Sequence, residues 1–191
     1  MWKAILTFGV LAVLGGFSAK ATDAPVGGQG NYVSAADIQA VMGKVNLKKN
    51  SDTILRMIDV GNAHVGVALI HRPKAAKGQA GDAMQHSALV EIYYVVSGHM
   101  VMVTGGKLVD AKPVLADAME RNSLASSMRG STIDPAGAET KTVGPGDIVF
   151  VPINTPHLIS EILDDVTILI YRIDATNQAT LHDTAVPRFI P

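Results

Sequence analysis

The stretch after residue 51 is dominated by short apolar runs rich in Val, Ile, Tyr and Thr. Each run is closed by Gly, Pro, Asn or Asp, which is typical of β-strands that end in turns. The runs predict six strands, over residues 53–59, 64–71, 91–96, 100–104, 147–151 and 166–173. Since no helices alternate with these runs, they favour an all-β sandwich or barrel over a doubly wound α/β sheet.

A helical pattern precedes the strands. Ser34 and Asp37 have the spacing of a capping box. The apolar residues that follow recur at helical intervals: Ile38, Val41, Met42 and Val45. The sequence therefore predicts a short amphipathic helix that packs on the outside of the core.

Residues 104–144 are less regular than the rest of the chain. A short helix is predicted over 113–122, and the turn-forming residues 134–137 predict a hairpin over 131–142. Loops as long as 107–142 are usually functional or disordered in compact domains. We therefore expect this stretch to fold over one end of a barrel and to limit access to its cavity.

The first residues have the three parts of a secretory signal. Lys3 supplies the positive charge, residues 4–17 form an apolar run, and residues 19–21 make a small-x-small cleavage site. An uncleaved anchor is the alternative, but the apolar run is shorter than the about 20 residues that a spanning helix needs. We expect cleavage before Thr22 and a periplasmic or secreted protein without a stable membrane anchor.

Length and composition describe one domain. A chain of 191 residues that is 48% hydrophobic can bury a sizeable core, which we place at 33–191, after the signal (1–21) and a Gly-rich flexible lead (22–32). The net charge of -1, with no Lys or Arg cluster, argues against nucleic-acid binding. Because the chain has no Cys, a metal would have to be held by His and carboxylate groups.

Three residues stand out as candidate metal ligands. His86 and Glu91 flank the start of a strong predicted strand, and His157 follows another. Two His and one carboxylate can hold a divalent ion on one side and leave positions open for water, oxygen or substrate. The alternative for each His is a hydrogen-bonded polar residue at a barrel mouth.

The residues around these candidates resemble the two motifs of the cupin superfamily. The first motif spans residues 78–98, and its positions are occupied by Gly78, Met84, His86, Glu91 and Gly98. The second spans residues 146–161 and is matched by Gly146, Pro152, Asn154 and His157, with Glu161 in place of the final Asn. Met84 stands where the first motif has its first His, so the resemblance implies three of the usual four ligands.

The resemblance implies a cupin-type double-stranded β-helix, or jelly-roll barrel, with a short N-terminal helix. It also implies one divalent metal (Fe, Mn or Zn) on His86, Glu91 and His157, and a homodimer, since cupins commonly pair through outer strands. His71 is a candidate extra ligand because it ends a strand just before the first motif, although an ordinary surface strand end explains it as well. Tyr93 shares the parity of Glu91, so it either orients a substrate or packs in the barrel.

Cupins include dioxygenases, lyases, isomerases and decarboxylases, and the fold does not choose among them. On the facial pattern of two His and one carboxylate, we expect a metal-dependent enzyme of the dioxygenase type that acts on a small organic substrate. The alternative is a non-catalytic barrel that binds or stores a small molecule, in which the loss of one His marks decayed chemistry.

Overall fold

A computed structural model of the chain describes residues 32–114 and 127–176. In chain order the elements of these ranges are α1 (Ala35–Met42), β1 (Ser51–Asp59), β2 (His64–Arg72), β3 (Ala83–His86), β4 (Leu89–Ser97), β5 (Met100–Val109), β6 (Lys112–Pro113), β7 (Ser127–Gly130), β8 (Thr132–Val143), β9 (Ile148–Val151), β10 (His157–Ile162) and β11 (Val166–Asp174).

The strands form two antiparallel sheets. The first has the order β1-β2-β11-β4-β9, and the second has the order β6-β7-β3-β10-β5-β8. Strands that are neighbours in a sheet are mostly distant in sequence, so the chain crosses repeatedly between the two sheets, as in a jelly roll. The predicted all-β jelly-roll barrel with a short N-terminal helix is confirmed.

The main hydrophobic core fills the space between the sheets. Ile168 and Ile170 of β11 are fully buried there and belong to the same cluster as Met102 of β5. Because side chains alternate between the two faces of a strand, the intervening residue Leu169 lies on the outer face of the first sheet, in a second cluster.

The predicted helix is confirmed as α1, which covers part of that outer face. Ser34 is its N-cap: the backbone N–H of Asp37 donates to the Ser34 hydroxyl at 3.1 Å, and the Ser34 backbone N–H donates to the Asp37 carboxylate at 2.9 Å. Val41 of the helix packs with Leu55 and Leu69 of β1 and β2.

The stretch 107–142 is not a loop in its described part, so that prediction is wrong. β5 continues to Val109, and β6, β7 and β8 add three strands to the second sheet. The side chains of the edge strand β8 are mostly exposed, so it lacks the apolar run that identifies a buried strand. Of the predicted helix 113–122, Pro113 lies in β6, and residues 115–122 are outside the described ranges.

The predicted hairpin over 131–142 is also wrong. β8 runs along β5 as one strand, and residues 135–137 form a bulge opposite Gly106. Gly106 has a φ of 68°, and a Cβ there would lie 2.3 Å from the Asp134 carbonyl oxygen. The turn-forming residues therefore mark a bulge in a continuous strand, and the chain does not reverse there.

The predicted signal (1–21) and most of the lead (22–31) lie outside the described residues. Across 32–114 and 127–176, no helix is both long and apolar enough to cross a bilayer.

Candidate metal centre

The fold brings the three predicted ligands together. One ligand atom of each of His86, Glu91 and His157 lies within 4.8 Å of the others, and all three residues are buried. Glu91 comes from β4 of the first sheet, whereas the two His come from β3 and β10 of the second. The group therefore bridges the two sheets inside the barrel.

Local turns place the two His next to each other. β10 pairs with β3, with His157 opposite Met84, and His86 lies two residues further along β3 on the same face. The turn before β10 contains Asn154 with a φ of 58°, the left-handed conformation that Asn tolerates. The Asn154 backbone N–H donates to the His86 carbonyl oxygen at 2.7 Å, which ties this turn to the end of β3.

The hydrogen bonds of His157 fix its tautomer. Its Nδ1 lies 3.1 Å from the Thr155 carbonyl oxygen, and since a carbonyl only accepts, Nδ1 carries the proton. In the neutral ring Nε2 then has a lone pair, and this atom lies 3.1 Å from Glu91 Oε2. Two acceptors at this distance need a cation or a proton between them.

His86 is held from its other side by β7, one of the strands that the sequence did not predict. Its Nδ1 lies 2.6 Å from the Ser127 hydroxyl oxygen, and Ser127 is buried at the start of β7. β7 pairs with β3 in register, with Ser127 opposite His86. The His86 Nε2 is left to face Glu91 Oε2, at 3.5 Å.

Glu91 is held by a buried arginine. Arg172 Nε donates to Glu91 Oε1 at 3.0 Å, and Arg172 Nη2 and Nη1 donate to the two carboxylate oxygens of Asp52 at 2.6 and 3.2 Å. The Tyr93 hydroxyl donates to Glu91 Oε2 at 2.8 Å. One oxygen of Glu91 is therefore engaged by Arg172, and the other faces the two imidazoles.

The pKa values follow from these contacts. Burial raises the pKa of Glu91, but hydrogen bonds and charge from His157 and His86, in the form in which Nε2 of each ring carries a proton, more than offset this and hold it well below its usual range. Burial and the Glu91 carboxylate raise the pKa of Tyr93 well above its usual value, so the phenol keeps its proton. Burial lowers the pKa of Arg172, and Asp52 with Glu91 raises it above its ordinary value overall.

The separations of the facing atoms fit a shared ion. Glu91 Oε2 lies 3.1 Å from His157 Nε2 and 3.5 Å from His86 Nε2. Two donors that are each about 2.1 Å from one ion are about 3.0 Å apart at a right angle and about 3.4 Å apart at the tetrahedral angle. The residues present therefore fit a divalent metal held by two imidazole nitrogens and one carboxylate oxygen.

The other two candidates fall on opposite faces of the first sheet. Tyr93 lies in the barrel beside the group and also lines its cavity, so its predicted substrate-orienting role stays a prediction. The structure does not bring His71 to the group, so the prediction that His71 is an extra ligand is wrong. Its neighbours Ile70 and Arg72 line the cavity, so alternation turns His71 to the other face, where its Nε2 bonds to the Leu47 carbonyl oxygen at 3.1 Å.

The sequence reasoning missed Arg172 and Ser127. Arg172 had a signal, because it shares the parity of the core residues Ile168 and Ile170 in an apolar strand, and a charge at such a position requires a buried partner. Ser127 had none, since its contact depends on pairing between strands that are 41 residues apart.

A cavity of about 250 Å³ opens beside the three ligands. Its lining includes carboxylates (Asp52, Asp82 and Glu91), guanidinium groups (Arg72, Arg129 and Arg172), and apolar side chains such as Ile70, Ala80, Met84, Leu158 and Ile159. This volume suits a small organic molecule.

No family model and no curated protein matches the sequence. Among solved structures, the chain is similar to DMSP lyase DddQ from Ruegeria pomeroyi DSS-3, with 15% identity and a TM-score of 0.43 over 81% of this chain and 57% of that one. It is also similar to a predicted oxalate decarboxylase from Thermotoga maritima (16%, TM-score 0.36, 65% of this chain and 94% of that one). A third similar structure is the Clostridium difficile EutQ protein (11%, TM-score 0.36, 66% and 69%). The chain spans a little over half the length of the lyase. These are cupin-fold proteins, and the likeness is one of fold.

Proposed function

We propose that the protein binds one divalent metal ion through His86, Glu91 and His157 and is a metal-dependent enzyme acting on a small organic substrate. The observation that carries the proposal is the 3.1 Å approach of His157 Nε2 to Glu91 Oε2, while the Nδ1–H of the same ring donates a hydrogen bond to the Thr155 carbonyl oxygen. A metal ion between these atoms removes the repulsion between two lone pairs.

The charges around the group support the same proposal. Arg172 divides its positive charge between two carboxylates, those of Glu91 and Asp52, so it neutralises the buried Glu91 carboxylate only in part. An uncompensated buried charge is costly. A cation held by Glu91 and the two His offsets it.

When bound, the ion would supply Lewis-acid polarisation or oxygen activation. The protein's own groups have separate tasks. Arg172 holds Glu91 by one oxygen, the protonated Tyr93 hydroxyl donates to the other, and the cavity excludes bulk water from a small substrate. The facial set of two His and one carboxylate favours a dioxygenase, in which both oxygen atoms enter the substrate and no added reductant is needed.

Metal content tests the proposal directly. Protein purified without added metal should contain about one Fe, Mn or Zn ion per chain by mass spectrometry, and His157→Ala should lose it, because two protein ligands compete poorly with water and buffer. His64→Ala is the matched control, since His64 lies outside the group of three. Equal metal content in all three proteins would contradict the proposal.

A non-catalytic barrel that binds or stores a small molecule is the second candidate, favoured by Met84 at the position of a missing ligand. The two functions differ in oxygen consumption. A metal-loaded dioxygenase should consume oxygen as it converts its substrate. A storage barrel binds its ligand and releases it unchanged. Binding without turnover across small organic acids, alcohols and thiols would favour storage.

We also propose export, with the mature chain beginning at Thr22. The predicted cleavage removes Trp2, the only Trp of the chain, so exported protein should show no Trp emission. An intact N-terminus in the mature protein would contradict this.

Pairing into a homodimer is a further proposal. Its support is the exposed apolar surface of β9, an edge strand of the first sheet, where Ile148 is 55% and Phe150 is 65% exposed. Phe150→Lys should shift the sedimentation mass from dimer to monomer, and Leu47→Lys, an exposed apolar site in another part of the chain, is the control.

A further inference from the structure

The cavity beside the metal ligands contains three arginines in different electrostatic situations. Arg172 forms ion pairs with Asp52 and Glu91. The half-exposed Arg129 lies 3.4 Å from Asp82. Within residues 32–114 and 127–176, Arg72 is in ion-pair contact with no carboxylate, so it is the arginine of the cavity lining whose charge is not directly neutralised.

Arg72 is fixed by one nitrogen. Its Nη1 donates to the Ser51 carbonyl oxygen at 2.5 Å and to the His71 carbonyl oxygen at 3.1 Å. Its Nε and Nη2 make no hydrogen bond to the described part of the chain. Burial lowers the pKa of Arg72, and Asp52 offsets only part of that effect. A partly buried guanidinium with free donors that faces a cavity is suited to an anionic ligand.

We propose that Arg72 binds the carboxylate group of a small organic acid, the other end of which faces His86, Glu91 and His157. The first half of this inference stands on Arg72 alone, and the second half rests on the proposed function. Arg72 is thus assigned as a residue that determines substrate class, and the ligand class is small carboxylic acids.

The charge balance of the cavity agrees with an anionic ligand. The lining carries three carboxylates and three guanidinium groups, so its formal charge is zero, and a divalent cation at the ligand group makes it positive. The planar fork of arginine matches the two oxygens of a carboxylate. Ile70, Ala80 and Ile159 provide apolar walls for a short carbon chain, and the volume of about 250 Å³ limits its length.

Calorimetric titration with propionate, malonate and succinate tests the proposal. Each acid is compared with its neutral amide (propionamide, malonamide and succinamide), and inorganic phosphate is included as a non-planar anion. At least one acid should bind wild-type protein, and its amide should not. Arg72→Gln should weaken that binding by about tenfold or more, because a charge-assisted contact is lost.

Two further variants make the result specific. Arg129→Gln is the matched control, since its charge is already paired and exposed, and it should change the affinity by less than about threefold. Arg72→Lys keeps the charge but loses the planar fork, so it should bind more weakly than wild type and more tightly than Arg72→Gln. If Arg72→Gln does not fold, as judged by circular dichroism, the comparison of Arg72→Lys with wild type and Arg129→Gln decides.

The outcomes separate this inference from the proposed function. Titrations are run on chelator-treated and on metal-loaded protein, and acid binding that depends on Arg72 without metal supports the subsite even if no metal is ever retained. Equal binding of acid and amide, a preference for phosphate, unchanged affinity in Arg72→Gln, or no binding by any of the acids would overturn it.

Discussion

Met84 occupies a position from which an imidazole would reach the proposed metal ligands His86, Glu91 and His157. Its Cα is paired with that of His157 across β3 and β10, and His86 follows two residues later on the same face. Directly opposed residues of an antiparallel pair have Cβ atoms about 4.5–5.5 Å apart. We therefore expect Met84→His to add a third imidazole to the group and to slow the loss of metal.

The magnitude follows from the number of ligands. Structural zinc sites with four protein ligands contribute about 10–16 kcal/mol, or roughly 3 kcal/mol for each ligand. Ordering the new side chain costs about 1 kcal/mol. The remaining gain of about 2 kcal/mol corresponds to about 30-fold in affinity.

The assay measures the rate at which a chelator removes the metal from wild type, Met84→His and Met84→Leu. Met84→Leu is the matched control, because it keeps an apolar side chain of similar volume and adds no donor. We expect the chelator to remove the metal from Met84→His about 30-fold more slowly than from the other two proteins. Identical rates for Met84→His and Met84→Leu, with both proteins folded, would refute the placement of the metal between these strands.

Three further predictions concern other parts of the barrel. Ser127→Ala removes the hydroxyl that contacts His86 Nδ1, so the metal affinity measured by competition should fall about 10- to 100-fold. Hydrogen bonds from the backbone and side chain of the N-cap serine lower the pKa of Asp37. Its stabilising effect is therefore present above the unfolded pKa and is lost as pH falls through the folded pKa. In Asp37→Asn, the midpoint of urea unfolding should depend less on pH on the acid side. Gly98→Ala should destabilise by about 2 kcal/mol or more, since φ is 77° and a Cβ would lie 2.2 Å from the Asp165 carbonyl oxygen. Gly78→Ala, with φ of 78° and open space at Cβ, should cost about 1 kcal/mol in the same denaturation experiment.

The strands that are easiest to predict are those that build the core. In β11 the buried residues Ile168 and Ile170 stand in an almost continuous apolar run, and the predicted range 166–173 differs from the observed strand by one residue. β3 and β10 were missed, and they are the strands that carry His86 and His157. β3 has only four residues, and β10 places His157, Ser160 and Glu161 among its apolar side chains, so neither has the regular apolar pattern of a core strand.

The convergence of the three candidate ligands was predictable for a different reason. The spacing of glycine, proline and histidine in the two motifs marks the turns that deliver His86, Glu91 and His157, and such turns are a local property of the sequence. The groups that hold these ligands depend on which strands become neighbours. Arg172 and Ser127 lie 81 and 41 residues from the side chains that they contact, so local patterns do not reveal the pairing.

The hydrogen bonds of the three ligands also bear on whether the site has decayed. Each ligand has one atom that faces the others and one that points away, and all three outward atoms have partners. His157 Nδ1 donates to a backbone carbonyl, His86 Nδ1 bonds to Ser127, and Glu91 Oε1 accepts from Arg172. Such partners fix the tautomer and rotation of a ligand before the metal arrives. If only a polar patch remained, nothing would require the three inward atoms to converge while every outward atom is satisfied. The arrangement therefore supports the proposed three-ligand metal centre over a decayed site.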